Sequence, residues 1–208
     1  MENIHDFVYS PEVLDFVKVS KDFVDLLESD LPEERKVFTQ RILQILPDLY
    51  AKMISLPPNE PEDDSGNQKH VTEEEWSSVY QKIYGNLASQ NEYLDIPEDT
   101  EYDRLEIISR ELSEDLSDIF QDIKDFLENF RVGNEDVMNN AIWDCMVNFE
   151  NYWGTKLLRA SLNLHKSYTR DVEILEKMDS VFMEKHGGKE IDTNEWFISK
   201  RQQEGEGN

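Results

Sequence analysis

The chain has 208 residues, and its 46 Asp and Glu against 21 Lys and Arg give a net charge of −25 at pH 7. That balance excludes a protein that grips a nucleic-acid backbone on a basic face. With 38% hydrophobic residues and only 8 Gly and 7 Pro, the chain is polar and turn-poor, yet long enough to bury a core as one domain or slightly more.

Ser10-Pro11 reads as an N-cap followed by Pro at the first helical position, and Val13, Phe16, Val17, Phe23, Val24 and Leu27 follow at helical spacing. A first helix is expected at about 10–28. Pro32 opens a second with Phe38, Ile42, Leu46, Leu49 and Met53 on its apolar face, and Pro47 predicts a kink or a restart within it. Residues 57–71, PPNEPEDDSGNQKHV, have no periodicity and read as a long mobile acidic loop. Thr72 and Glu75 form a capping box ahead of Trp76, Val79, Tyr80, Ile83, Tyr84 and Leu87.

Residues 89–103 read as a polar connection in which Tyr93, Leu94 and Ile96 pack down. A long amphipathic helix is expected at about 104–130, closed by Gly133. A fifth begins near Asn134, carries Ile142, Trp143, Met146, Trp153, Leu157, Leu164 and Tyr168 on one side, and continues into a helical segment ending at Gly187-Gly188. A short piece at 194–200 and a frayed tail complete the chain. Alternating β patterns are lacking, so the fold class is all-α: an antiparallel bundle of five to six helices over 1–170, with a helical extension and disordered tail over 171–208.

On the fourth helix Glu111, Asp115, Asp118, Asp122 and Asp125 share one face bordering the apolar stripe. On the fifth, Lys156, Arg159, Lys166 and Arg170 form a basic stripe, and 156–170 holds no acid. These stripes are expected to pair along an interhelix seam, fixing register more than adding stability. The competing reading is a divalent-metal site using Asp118, Asp122 and Glu150, which makes Mg²⁺ or Mn²⁺ the only cofactor considered. The Glu111/Glu114 and Glu176/Asp179 pairs match the spelling of helical pyrophosphohydrolases, but acid pairs at that spacing arise readily by chance in so acidic a chain.

Glu150 falls on the apolar side of the fifth helix, where a carboxylate must be paired or protonated. With Trp143, Trp153, Gly154, Ser161 and His165 near the same edge, it predicts a partly polar groove, and Arg104, Arg110 and Arg131 are its candidate partners. Cys145 is the only cysteine. It excludes an internal disulfide and a multi-cysteine zinc site, fits a reducing compartment, and reads as a small core residue. The first residues do not resemble a signal peptide, no apolar run approaches a bilayer crossing, and the best-defined cofactor motifs are absent.

The stretch EDLSDIFQDIKDFLENFRVGNEDVMNNAIWDCMVNFENYWGTKLLRASLNLH at 114–165, with LPDLYAKMISLP at 46–57, resembles the bacterial all-helical family called domain of unknown function 5063. The likeness spans most of residues 1–170. It implies a helical, cytoplasmic domain and no established activity or catalytic residues. The stripe acids, Trp143, Glu150, Tyr152, Trp153, Gly154, Lys156 and His165 lie within the matching stretch.

The first functional expectation is a non-catalytic helical module that binds another protein, or itself, through a groove, with no nucleic acid and no membrane partner. The alternative is a metal-dependent hydrolase of a small phosphorylated compound. A third is an acidic decoy for a basic partner.

Overall fold

Ser10 starts the first long helix in the way its sequence predicts: its Oγ accepts from the Val13 amide at 3.4 Å, with Pro11 at the first helical position. In the computed structural model, which describes residues 4–31, 34–61, 67–96, 107–170 and 172–186, a short helix α1 (Ile4–Val8) precedes this α2 (Pro11–Glu28). Helices α3 (Arg35–Met53) and α4 (Glu73–Leu87) follow, then α5 (Leu112–Phe130), α6 (Glu135–Asn148), α7 (Gly154–Tyr168) and α8 (Val172–His186). The fold is predominantly all-α, a helical bundle with one small two-stranded sheet.

Helix α5 is the axis of the bundle and packs against α2, α4, α6 and α7. Its Leu112, Leu116, Ile119, Phe120, Ile123 and Phe126 are buried with Phe16, Phe23, Ile83, Trp153 and Leu157 of the neighbouring helices. The Thr72–Glu75 capping box is formed in both directions, at 3.2 and 2.9 Å. Gly133 takes φ +75° just beyond α5, a left-handed position that suits glycine.

Four expectations need correction. Helix α3 does not restart at Pro47, the second of the two outcomes expected there, but runs on through it, held between α2 and α7; packing on two sides offsets the lost backbone bond. The described residues of the 57–71 loop are tied down. Asn59 and Glu60 exchange hydrogen bonds with Asn139, Asn129 Nδ2 donates to the Gln68 carbonyl at 2.8 Å, and Asn67 bonds Asp144.

The helix expected from about 104 begins only at Leu112, because Ile108–Glu111 (β2) pairs antiparallel with Glu92–Asp95 (β1). This hairpin lies where a polar connection was expected, and four-residue strands are too short for a period-2 pattern to stand out. It also positions Asn91, whose carbonyl and Oδ1 accept from the Leu112 and Ser113 amides at 2.8 and 2.9 Å. Asn91 therefore caps α5 from a distant part of the chain. Arg104, Leu105 and the 194–200 piece lie outside the described residues.

The single fifth helix is two helices joined by a π turn, Phe149–Trp153. Its signature is the Gly154 amide donating to the Phe149 carbonyl, five residues back.

Candidate functional site

The five acids of the stripe do not lie on a solvated seam: Asp115, Asp118 and Asp125 are buried, and Asp122 and Glu111 are half-buried. Asp118 is the centre. Its Oδ1 accepts from Trp76 Nε1 at 3.1 Å, and its Oδ2 accepts from Tyr152 Oη at 2.7 Å and from Lys156 Nζ. Lys156 is itself buried, lies over the Tyr152 ring at 4.7 Å, and reaches Asp115 Oδ1 at 3.8 Å and Glu114 Oε1 at 4.0 Å. Tyr93 of the hairpin donates to Asp115, and Tyr80 donates to Glu111. Burial raises the hydroxyl pKa of both tyrosines, and the adjacent carboxylates add to the effect.

One lysine thus faces three carboxylates inside the bundle. Burial pushes Asp115 up to about 6, with Lys156 opposing the shift. A folded-state value above the unfolded one means that the fold binds a proton which the unfolded chain has already released. The contribution of Asp115 to stability is therefore greatest below about pH 4 and is lost as pH rises through about 6. We expect the stability difference between wild type and Asp115→Asn to fall by about 2 kcal/mol between pH 4 and 7 in urea titrations. Parallel curves would show that Asp115 does not titrate there.

The remaining stripe members divide. Asp125 captures the loop by accepting from the His70 and Val71 amides at 2.6 and 3.0 Å, with Lys69 Nζ at 3.6 Å. Asp122 accepts from Asn148 Nδ2 at 3.1 Å. Of the basic stripe, Lys156 meets these acids. Arg159 instead shares Asp95 of the hairpin with Arg110, at 3.1 and 2.8 Å, and Lys166 and Arg170 are exposed. The expected zipper is one buried lysine plus a hairpin clamp.

The expected groove is not assembled either. Trp153 and Gly154 are buried, Trp143 is half-buried, and Glu150 and His165 are exposed. Ser161 Oγ bonds the Leu157 carbonyl of its own helix at 2.8 Å. The reason is the π turn. An angular sector extrapolated at 100° per residue across Phe149–Trp153 joins two frames that are out of register. Glu150 therefore needs no buried partner, while Arg110 is taken by Asp95 and Arg131 by Glu128.

The weak metal set of Asp118, Asp122 and Glu150 is likewise split between the interior and the surface. Among the described residues no group of three His, Cys, Asp or Glu is placed to hold a metal ion. Cys145 is buried, and burial raises its thiol pKa.

The family model named Domain of unknown function (DUF5063) matches residues 7–169. The chain belongs to this DUF5063 family. A crystal structure of protein BF1032 from Bacteroides fragilis is similar at 32% identity and TM-score 0.70, covering 80% of this chain and 98% of that one. No curated protein matches the chain.

The DUF5063 match ends before α8, and the match to BF1032 takes in nearly all of that protein while leaving a fifth of this one uncovered. Helix α8 therefore extends the shared bundle. It is fastened by Asp179, which accepts from Arg35 Nη2 at 2.9 Å and from Ser89, and by Phe182, whose ring lies 5.8 Å from that of Tyr84. That contact ends an aromatic ladder along α4, in which Trp76 stacks on Tyr80 at 5.4 Å and Tyr80 on Tyr84 at 6.0 Å.

Between α8 and the 3-10 turn Ala88–Gln90 lies a groove of about 440 Å³. Ile174, Met178, Val181 and Phe182 form its α8 side, and Ala88 and Glu92 lie opposite. Ile174 and Val181 remain 50% and 51% exposed. No helix among the described residues is long and apolar enough to cross a membrane. Sequence reasoning missed this groove because α8 lies outside the resemblance. The available signal was its own apolar row, Ile174, Met178 and Val181, with no assigned partner.

Proposed function

We propose that this protein is a non-catalytic interaction module that receives a short apolar segment of a partner protein in the groove along α8. The observation that carries this reading is the groove itself. Its volume lies within the ~300–1,000 Å³ range usual for binding clefts, and its lining is mainly apolar with few charged groups. Half-exposed Ile174 and Val181 give an incoming side chain something to bury against.

The stripe carboxylates support the same reading by a different route. Asp118 accepts three donors, Asp115 accepts from Tyr93, and Asp125 accepts two loop amides. Their chemistry is engaged in holding α4, α5, α7, the hairpin and the loop together. The charge of −25 favours a partner segment with bases near its apolar residues and disfavours an acidic one.

The test uses methyl-labelled methionine, because Met178 lines the groove. Ten-residue synthetic peptides carrying an apolar triplet and flanking lysines should move the Met178 methyl signal, and Val181→Glu should weaken them at least about ten-fold. Val181 is half-exposed, so this variant keeps the fold. An unmoved Met178 signal at millimolar peptide would refute the reading.

A further inference from the structure

A small cavity of about 30 Å³ lies between α5 and α6 and is also lined by residues 67–69 of the loop. Asp122, Asp125 and Asn129 come to it from α5, and Ala141, Asp144 and Asn148 from α6, each set at the three- and four-residue spacing that keeps side chains on one helix face. Exposed Lys69 belongs to the lining, so the cavity opens to solvent. Its volume admits one water-sized group.

The lining is rich in acceptors. Its three carboxylates, Asp122, Asp125 and Asp144, face a single base, Lys69. The amide donors are already in use: Asn148 Nδ2 donates to Asp122 Oδ1 at 3.1 Å, Asn67 Nδ2 donates to Asp144, and Asn129 Nδ2 donates to the Gln68 and Asp125 carbonyls at 2.8 Å.

Asp125 Oδ2 is the decisive atom. Asp125 is 5% exposed, and its Oδ1 accepts from the His70 and Val71 amides. Among the described residues no donor comes within hydrogen-bond distance of its Oδ2, and Lys69 Nζ stops at 3.6 Å with its side chain 52% exposed. A buried carboxylate oxygen without a donor is costly, so the cavity favours a guest that brings both N–H donors and positive charge.

A metal ion does not meet that demand, because among the described residues no three acids converge to hold one. A primary ammonium head does. It is the size of a water, carries one charge, and has three donors and no acceptor. Its charge-assisted bonds to carboxylates are about twice as strong as neutral ones.

The geometry points to a binding site for a protonated primary amine in this cavity, with Asp125 Oδ2 as its principal acceptor and Asp122 and Asp144 adding to the negative field. The guest takes the place that Lys69 approaches from outside, so the two ammonium groups compete for Asp125. This site shares no lining residue with the α8 groove and does not depend on the reading given to that groove.

The test labels the methyls of Ala51, Ala88, Ala141 and Ala160, the alanines of the chain, and adds methylammonium chloride to the full-length protein. The Ala141 signal should move and saturate, with half-saturation at about 10 mM. Potassium chloride and tetramethylammonium chloride at the same concentrations bring charge without an N–H donor and should leave it in place. Asp125→Asn keeps an oxygen for the two loop amides but removes the charge, and should weaken methylammonium at least about ten-fold. Lys69→Met, at an exposed side chain, should tighten it about three-fold by removing the competing head.

A lysine capped at both ends separates the two sources of such an amine. If it moves Ala141 as methylammonium does, the guest is a protein side chain, and if methylammonium alone does so, the guest is a free small amine. The proposal is overturned if Ala141 does not move, if potassium moves it equally, or if Lys69→Met weakens binding. None of these results involves Met178, so failure here leaves the groove reading untouched.

Discussion

Replacing Lys156 by Met should remove about 3–5 kcal/mol of stability, the largest loss expected from any single charged residue of this protein. Lys156 is 7% exposed and stands among Glu114, Asp115 and Asp118. Methionine matches its length but brings no charge. Asp118 keeps its bonds from Trp76 and Tyr152, yet its buried negative charge then lacks compensation, and repulsion from Asp115 and Glu114 is no longer opposed.

Adding Asp118→Asn should return at least half of the loss. The asparagine oxygen still accepts from an indole or phenol donor, and the uncompensated charge is gone. Urea unfolding of wild type, both single variants and the double variant gives the coupling directly. A Lys156→Met cost below about 1 kcal/mol would mean that the pair behaves like a solvated surface bridge and would overturn this account.

That pair illustrates what could be read from residues alone and what could not. The spacing of Asp115 and Asp118 places them on one face of α5, and Lys156 emerges as a base facing acids. The depth of the cluster is not readable, because period alone does not say whether a polar stripe beside an apolar one faces water or a neighbouring helix. Here α4 and α7 cover it, and Trp76 and Tyr152 supply the donors that make burial tolerable. Trp76 looks like a core anchor in a helical pattern, and the polar ends of both aromatics become informative only when an acceptor is opposite.

The ends of α2 and α4 were legible because Ser10-Pro11 and Thr72/Glu75 act locally, within one turn of the chain. The start of α5 was not, because its cap is Asn91, some twenty residues earlier in the chain and delivered by a hairpin. Likewise the 57–71 loop looks mobile from composition, whereas its described residues are held by Asp125, Asn129 and Asn139 on two distant helices. Local signals carried the ends of α2 and α4, and long-range side-chain to backbone bonds set the start of α5 and hold the described residues of the 57–71 loop.

The π turn is the feature with the widest consequences, and Gly154 is the residue on which it depends. Its amide donates to the Phe149 carbonyl, and a Cβ placed on it would lie 2.5 Å from that oxygen and 2.9 Å from the Phe149 ring. The oxygen belongs to the backbone and cannot swing aside. The ring cannot retreat readily either, since it packs edge-on against Trp153 at 4.7 Å and Tyr50 at 5.2 Å. Gly154→Ala should therefore cost about 3 kcal/mol by overpacking, against the gain of up to about 1 kcal/mol that alanine normally brings to a helix. Gly85→Ala is the matched control, because nothing lies within 4 Å of its added Cβ, and it should stabilise α4 by up to about 1 kcal/mol. Urea midpoints moving in opposite directions for the two variants would show that the π turn, and not helix propensity, sets the cost at 154. If Gly154→Ala also stabilises, the close approach to Phe149 is relieved by a return to ordinary α-helical winding. Such a return would rotate α7 about its axis relative to α6 and pull Lys156 away from Asp118, so the variant would then lose the coupling measured between those two residues.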